Sequence, residues 1–183
     1  MCGITGVYAI TDEGKQRFSF VGKAAEVLSK RGPDSQQIFT EKRVCLGHAR
    51  LSVIDLSEAA KQPFSDVTGR YTIVYNGEVY NFRALRKNLE AKGHTFKTDS
   101  DTEVVLYQYI EDGFECLEKF NGFFAFAIYD NLTETLFVAR DRMGQKPLLY
   151  YHGYDYIAFA SEMKALMALG IPRNLDMTSL CMY

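Results

Sequence analysis

The sequence predicts an α+β fold in which stacked, mainly antiparallel sheets are covered by helices on the outside. Amphipathic helical patterns and strand patterns alternate up to residue 120. After Asn121-Gly122 the strand patterns follow one another through short turns, and such strands pair antiparallel. Within them the run Phe-Phe-Ala-Phe-Ala-Ile-Tyr at 123–129 shows no polar alternation, so both faces of that strand are covered.

Taken in order, Ile4 to Ile10 read as an apolar strand directly after Cys2 and Gly3. Val21, Ala24, Ala25 and Leu28 recur at helical spacing, and Arg31-Gly32-Pro33-Asp34 closes that helix into a loop. Residues 43–54 read as a strand and an ordered turn, and 71–75 as a strand that ends at the turn-forming pair Asn76-Gly77. Phe82, Leu85 and Leu89 mark a second helix ending at Gly93. A third starts after Ser100-Asp101 and places Val105, Leu106, Tyr109 and Ile110 on one face. Strands follow at 123–130, 135–140, 148–151 and 156–160, then a helix over 161–169 that buries Met163, Leu166 and Met167. There is no internal repeat and no low-complexity stretch.

A chain of 183 residues with 47% apolar content can bury a sizeable core in one domain. Its 21 basic and 23 acidic residues are well mixed, giving net charge −2, so no basic face suggests nucleic acid or an anionic membrane. The basic patch Arg83 to Lys87 reads as a solvated helix face. No apolar run approaches the ~20 residues needed to span a bilayer, and the N-terminus carries no secretion signal, so a cytoplasmic location is expected. The cysteines at 2, 45, 116 and 181 have neither C-x-x-C spacing nor nearby histidine pairs, so neither zinc nor a disulfide framework is indicated; Cys45 and Cys116 read as core. Asn131-Leu132-Thr133 reads as a turn between strands.

The chemistry centres on Cys2. Were Met1 trimmed, Cys2 would carry a nucleophilic sulfur and a free α-amine in one residue, and an amine with a reference pKa of about 7.7–8 can accept the thiol proton near neutral pH. A thiol attacking an amide or ester needs donors for the oxyanion, which the Asn76 amide and the Gly77 N–H can supply. Arg50 offers a fork for a carboxylate, and Glu78 and Asp101 offer anions for an ammonium group. Each of these has a plainer reading: a second-position cysteine, a hairpin turn, a surface ion pair, a helix cap. His48 reads as a structural strand histidine.

Cys2-Gly3-Ile4, RGPD at 31–34, HARLSVIDL at 48–56, QPF at 62–64, YNGEVYNF at 75–82, SDTEV at 100–104, NGFFAFAIYD at 121–130, ARDRMGQKPLLYY at 139–151 and FASEMKAL at 159–166 occur in that order. Together they resemble the N-terminal class II glutamine amidotransferase (glutaminase) domain of glutamine-hydrolysing asparagine synthetases, which is an N-terminal nucleophile hydrolase. The resemblance implies a four-layer αββα sandwich over residues 1–170, with 171–183 starting the connection to a C-terminal synthetase domain. It implies Cys2 as nucleophile with its α-amine as base, and Asn76 and Gly77 as the oxyanion hole. Arg50 would hold the glutamine α-carboxylate, the backbone at Val53 and Ile54 would line the pocket, and Glu78 and Asp101 would receive the α-ammonium.

The implied reaction takes glutamine to glutamate and ammonia through a γ-glutamyl thioester, with no metal or organic cofactor in this chain. ATP and Mg²⁺ are implied only for the synthetase domain, and a homodimer is compatible. Neither G-x-x-x-x-G-K-[ST] nor a Ser-Gly-Gly stretch occurs in 1–183, so a glutaminase fragment of a longer enzyme is expected. Related amidotransferases with other acceptors share the terminal cysteine and the Asn-Gly pair but differ in the flanking motifs, and a non-catalytic version of the fold could lose Cys2 freely.

Overall fold

The computed structural model describes residues 2–51, 57–174 and 176–182. Nine strands among them form two antiparallel sheets. The first sheet has the order β2 (Ser35–Glu41), β3 (Val44–Arg50), β1 (Gly3–Ala9), β9 (Tyr156–Ala160) and β8 (Leu149–His152). The second runs β4 (Phe64–Ser65), β5 (Tyr71–Val79), β6 (Gly122–Asp130) and β7 (Thr135–Arg140).

Helices α1 (Val21–Glu26) and α4 (Met163–Ala168) cover the outer face of the first sheet, whereas α2 (Phe82–Ala91) and α3 (Asp101–Asp112) cover that of the second. The period of two along a strand sorts side chains between these layers. On β6, Phe124, Phe126 and Ile128 pack toward α2 and α3, while Ala125, Ala127 and Tyr129 pack toward the other sheet with Ile4, Val44, Leu46, Val74 and Phe159. Both faces of β6 are therefore buried, and the layers run αββα. A fully buried Phe or Ile side chain contributes about 1.5–3 kcal/mol, so this strand anchors the centre of the molecule.

The helix N-terminus at Ser100 is capped as its sequence requires, the hydroxyl accepting from Thr102 N at 3.0 Å. Cys45 and Cys116 lie in the core, and residues 131–133 form the β6–β7 turn, tied by Asp130 Oδ1, which accepts from Leu132 N. A fifth helix, α5, occupies Met177–Met182.

Four expectations are corrected. Asn76-Gly77 is not a turn: β5 continues to Val79, with Asn76 opposite Ala125 and Gly77 opposite Phe124, because β6 supplies a ladder partner throughout. A Cβ at Gly77 would lie 2.5 Å from the Phe123 carbonyl oxygen, so the glycine serves close strand approach. The loop expected after Pro33 contains β2, whose polar sequence SQQIFTE hid a strand held by its pairing with β3. β7 and β8 belong to different sheets, since the segment 141–148 crosses between layers instead of making a hairpin. Met163 is half exposed and Met167 only partly buried, whereas Leu166 is buried as expected, together with Ala165.

Candidate active site

Cys2 stands immediately before β1, and the pairing of Gly3 with Ala49 brings it beside the end of β3 at Arg50 and Leu51. Leu51 N donates to the Cys2 sulfur at 3.4 Å, and the Leu51 carbonyl lies 3.5 Å from it. Strand parity then sets the site. Ile4, Val44, Leu46 and Val74 all face the space between the sheets, so the same parity turns Arg50 and His48 of β3, and Asn76 and Glu78 of β5, into that space. Cys2 continues the inward row of β1. Sequence distance is irrelevant here; two sheets facing each other bring residues 2, 50, 76 and 78 to one place.

Burial pushes the Cys2 thiol above the ordinary cysteine range, opposed by the Leu51 N–H and by the positive charges of Arg50 and Lys146. Arg50 is 7% exposed and donates from Nη1 to the Ser57 carbonyl at 3.1 Å. Asn76 is buried, and among the described residues its Nδ2 finds no hydrogen-bond partner. Glu78 is exposed at the rim. Val53 and Ile54 lie outside the described residues.

Asp101 reaches the cluster from the first turn of α3. It is not a cap: its Oδ2 accepts from the Tyr75 hydroxyl at 2.8 Å and from Val79 N at 3.1 Å. Burial raises its carboxyl, while those two donors work the other way. Tyr75 is itself held, its N–H donating to Gln62 Oε1 at 2.6 Å, while Gln62 Nε2 donates to Thr102 Oγ1 at 3.2 Å. QPF therefore ties β5 to the start of α3. His48 is structural, as expected: buried, with Nε2 3.2 Å from the Tyr75 carbonyl oxygen, and lowered by burial to about 4.

Three participants carried no role in the sequence reading. Lys146 is buried, with Nζ 4.3 Å from the centroid of the Phe123 ring, and burial lowers its ammonium below the usual lysine range. Its approach is set by Asp141, which accepts from Lys146 N at 3.0 Å and from Gln145 N at 2.9 Å. Tyr75 supports Asp101, and Arg31 donates from Nε to the Cys2 carbonyl oxygen at 3.0 Å. Their only signal in the sequence was membership of the quoted motifs. Among the described residues no group of three or more His, Cys, Asp or Glu is placed to hold a metal, and no helix is long and apolar enough to cross a membrane.

The arrangement offers a thiol, a buried amide donor with no acceptor among the described residues, a guanidinium and a buried carboxyl. A family model described as a glutamine amidotransferase domain matches residues 1–183. Asparagine synthetase [glutamine-hydrolyzing] 3 of Bacillus subtilis is 43% identical over 98% of this chain, which spans 30% of that protein's length. Asparagine synthetase B [glutamine-hydrolyzing] of Escherichia coli is 37% identical over 91% of the chain, again 30% of the relative. Among solved structures, glutamine phosphoribosylpyrophosphate amidotransferase from B. subtilis superposes with a TM-score of 0.73 over 92% of this chain and 44% of its own, at 24% identity, a likeness of fold.

Proposed function

The chain belongs to the glutamine amidotransferase domain family, and on that premise we propose that it hydrolyses glutamine to glutamate and ammonia through a thioester on Cys2. The observation that carries the reading is the Asn76 amide, a buried donor without a partner among the described residues, on the inter-sheet face that Cys2 also joins. Leaving such a donor unpaired costs about 1–3 kcal/mol, and the substrate's carboxamide oxygen, which becomes the oxyanion on attack, would satisfy it.

In the proposed reaction Met1 is removed and the freed α-amine of Cys2 takes the thiol proton. The raised thiol makes a local base necessary. The thiolate attacks the carboxamide carbon, and Asn76 Nδ2 and Gly77 N–H donate to the developing oxyanion. The C–N bond then breaks, and the ammonium of Cys2 returns its proton to the leaving ammonia. Water, deprotonated by the same amine, opens the γ-glutamyl thioester and restores the thiol. Arg50 binds the glutamine α-carboxylate; Asp101 and Glu78 bind its α-ammonium. No step uses a metal or an organic cofactor.

The same proposal extends to the longer protein suggested by the relatives' lengths. Ammonia would pass to a C-terminal synthetase domain for ATP- and Mg²⁺-dependent asparagine synthesis from aspartate, in the cytoplasm. The test is to confirm Met1 removal by intact mass, incubate the chain with glutamine, aspartate, ATP and Mg²⁺, and assay glutamate, asparagine and AMP separately. Glutamate alone is expected, abolished in Cys2→Ala and kept in Cys45→Ala and Cys116→Ala. Turnover by Cys2→Ala would overturn the nucleophile, and asparagine formed by these residues would overturn the division of labour. Sedimentation of the same sample reports whether it forms a homodimer.

A further inference from the structure

Cys2 lies outside the ladder of β1, so strand pairing alone does not fix its backbone. A side chain does: Arg31 Nε donates to the Cys2 carbonyl oxygen at 3.0 Å, and Arg31 Nη1 donates to Glu162 Oε1 at 3.0 Å. Glu162 is in turn held by Lys164, whose Nζ is 2.9 Å from Oε2. The neighbouring residue Ser161 grips the next residue but one of the same strand, its Oγ accepting from Ile4 N at 3.0 Å while its own N–H donates to the Ile4 carbonyl at 2.9 Å.

Arg31 is itself placed by backbone. Its N–H donates to the Leu28 carbonyl at 2.8 Å, and Gly32 lets the chain press against β3, where a Cβ would lie 2.2 Å from the Ala49 carbonyl oxygen. The ion pair is largely shielded, with side chains 13% and 28% exposed. Fork geometry lets one guanidinium serve two acceptors in fixed directions, which a lysine ammonium does not do.

We propose that Arg31 and Glu162 are a positioning pair for the nucleophile: Arg31 fixes the Cys2 carbonyl, and with it the direction of the thiol, while Glu162 fixes Arg31. The inference rests on Cys2 being the nucleophile. It assigns a job to the arginine of RGPD and the glutamate of FASEMKAL, stretches far apart in sequence that meet at residue 2.

The test uses Met1-trimmed protein, with active sites counted by titration with a γ-electrophilic glutamine analogue so that misfolded material does not enter the rate. Because a displacement near 1 Å can lower a rate by about 100-fold, Arg31→Gln is expected to lower kcat per titrated site by about 10-fold or more, with KM changed by less than about 3-fold. Arg31→Lys is expected not to rescue it. Glu162→Gln should give a smaller loss, and R31Q/E162Q no further loss beyond R31Q, since one residue acts through the other. A kcat per site within about twofold of the parent in R31Q, rescue by R31K, or a loss confined to KM would overturn the pair. Should R31Q not fold, an unchanged kcat in E162Q overturns it alone. Release of no glutamate by the parent chain would remove the Cys2 reading as well, whereas active parent with equally active R31Q removes only this inference.

Discussion

Tyr75 donates its phenolic hydrogen to Asp101 Oδ2 at 2.8 Å, joining the middle of β5 to the first turn of α3 inside the protein. Together with the donation from Val79 N to the same oxygen, the bond holds the buried carboxyl in place, and it favours the charged form against the burial that opposes it.

Tyr75→Phe should therefore raise the KM for glutamine by roughly 10-fold or more, the scale of one lost hydrogen bond to a charged group, with kcat little changed. Loss of the donor also raises the Asp101 carboxyl further. In the proposed role of Asp101, binding uses the anion and is lost as pH falls through that pKa, so the acid limb of kcat/KM should move to higher pH. Steady-state kinetics across pH read both effects, and an unmoved KM would detach Asp101 from substrate.

Asn76→Ala should lower kcat by about 100-fold or more with a smaller effect on KM, as expected for an oxyanion donor. The unfolding free energy should change little, because relief of the unpaired Nδ2 donor offsets the packing lost by truncating a buried side chain. Denaturant titration beside the kinetics checks both halves. A change carried by KM would make Asn76 a substrate-positioning group.

Arg50→Lys keeps the charge but loses the fork. A charge-assisted hydrogen bond contributes about 1.5–3 kcal/mol, so KM should rise by about 10-fold or more. Glutamine titration of the variant is the measurement, and an unchanged KM would remove Arg50 from carboxylate binding.

His48 makes stability depend on pH. Its folded pKa is lowered from 6.5 to about 4 by burial, so the unfolded chain takes up the proton first. The stability is complete above pH 6.5 and is lost as pH falls from there toward 4, by up to about 3 kcal/mol. Unfolding free energies measured between pH 7 and 4 should show this slope, and His48→Gln should flatten it. The Asp130 carboxyl, held well below the usual range by Arg70, enters only at more acid pH. An identical slope in His48→Gln would place the proton uptake elsewhere.

Local physics determined much of this protein from sequence alone. The unbroken apolar run of β6 announced a strand covered on both faces, the bounds of β7 and β9 followed from their patterns, and Ser100 announced the cap of α3. Quoted in order, the motifs also indicated the family that the comparisons show. What the sequence could not determine depends on partners distant along the chain. Asn76-Gly77 has the composition of a turn, yet nine residues of β6 pair with β5 and hold it extended through the glycine. β2 has hardly any apolar pattern and exists because β3 offers it an edge. Lys146 has no role in the sequence until the 141–148 crossing buries it over Phe123, and Asp101 could be an anion for an ammonium group or a cap until Tyr75 and Val79 are seen to donate to it. Propensity and periodicity act within a few residues, whereas burial, charge pairing and ladder formation depend on which layers meet, and only the tertiary structure decides that.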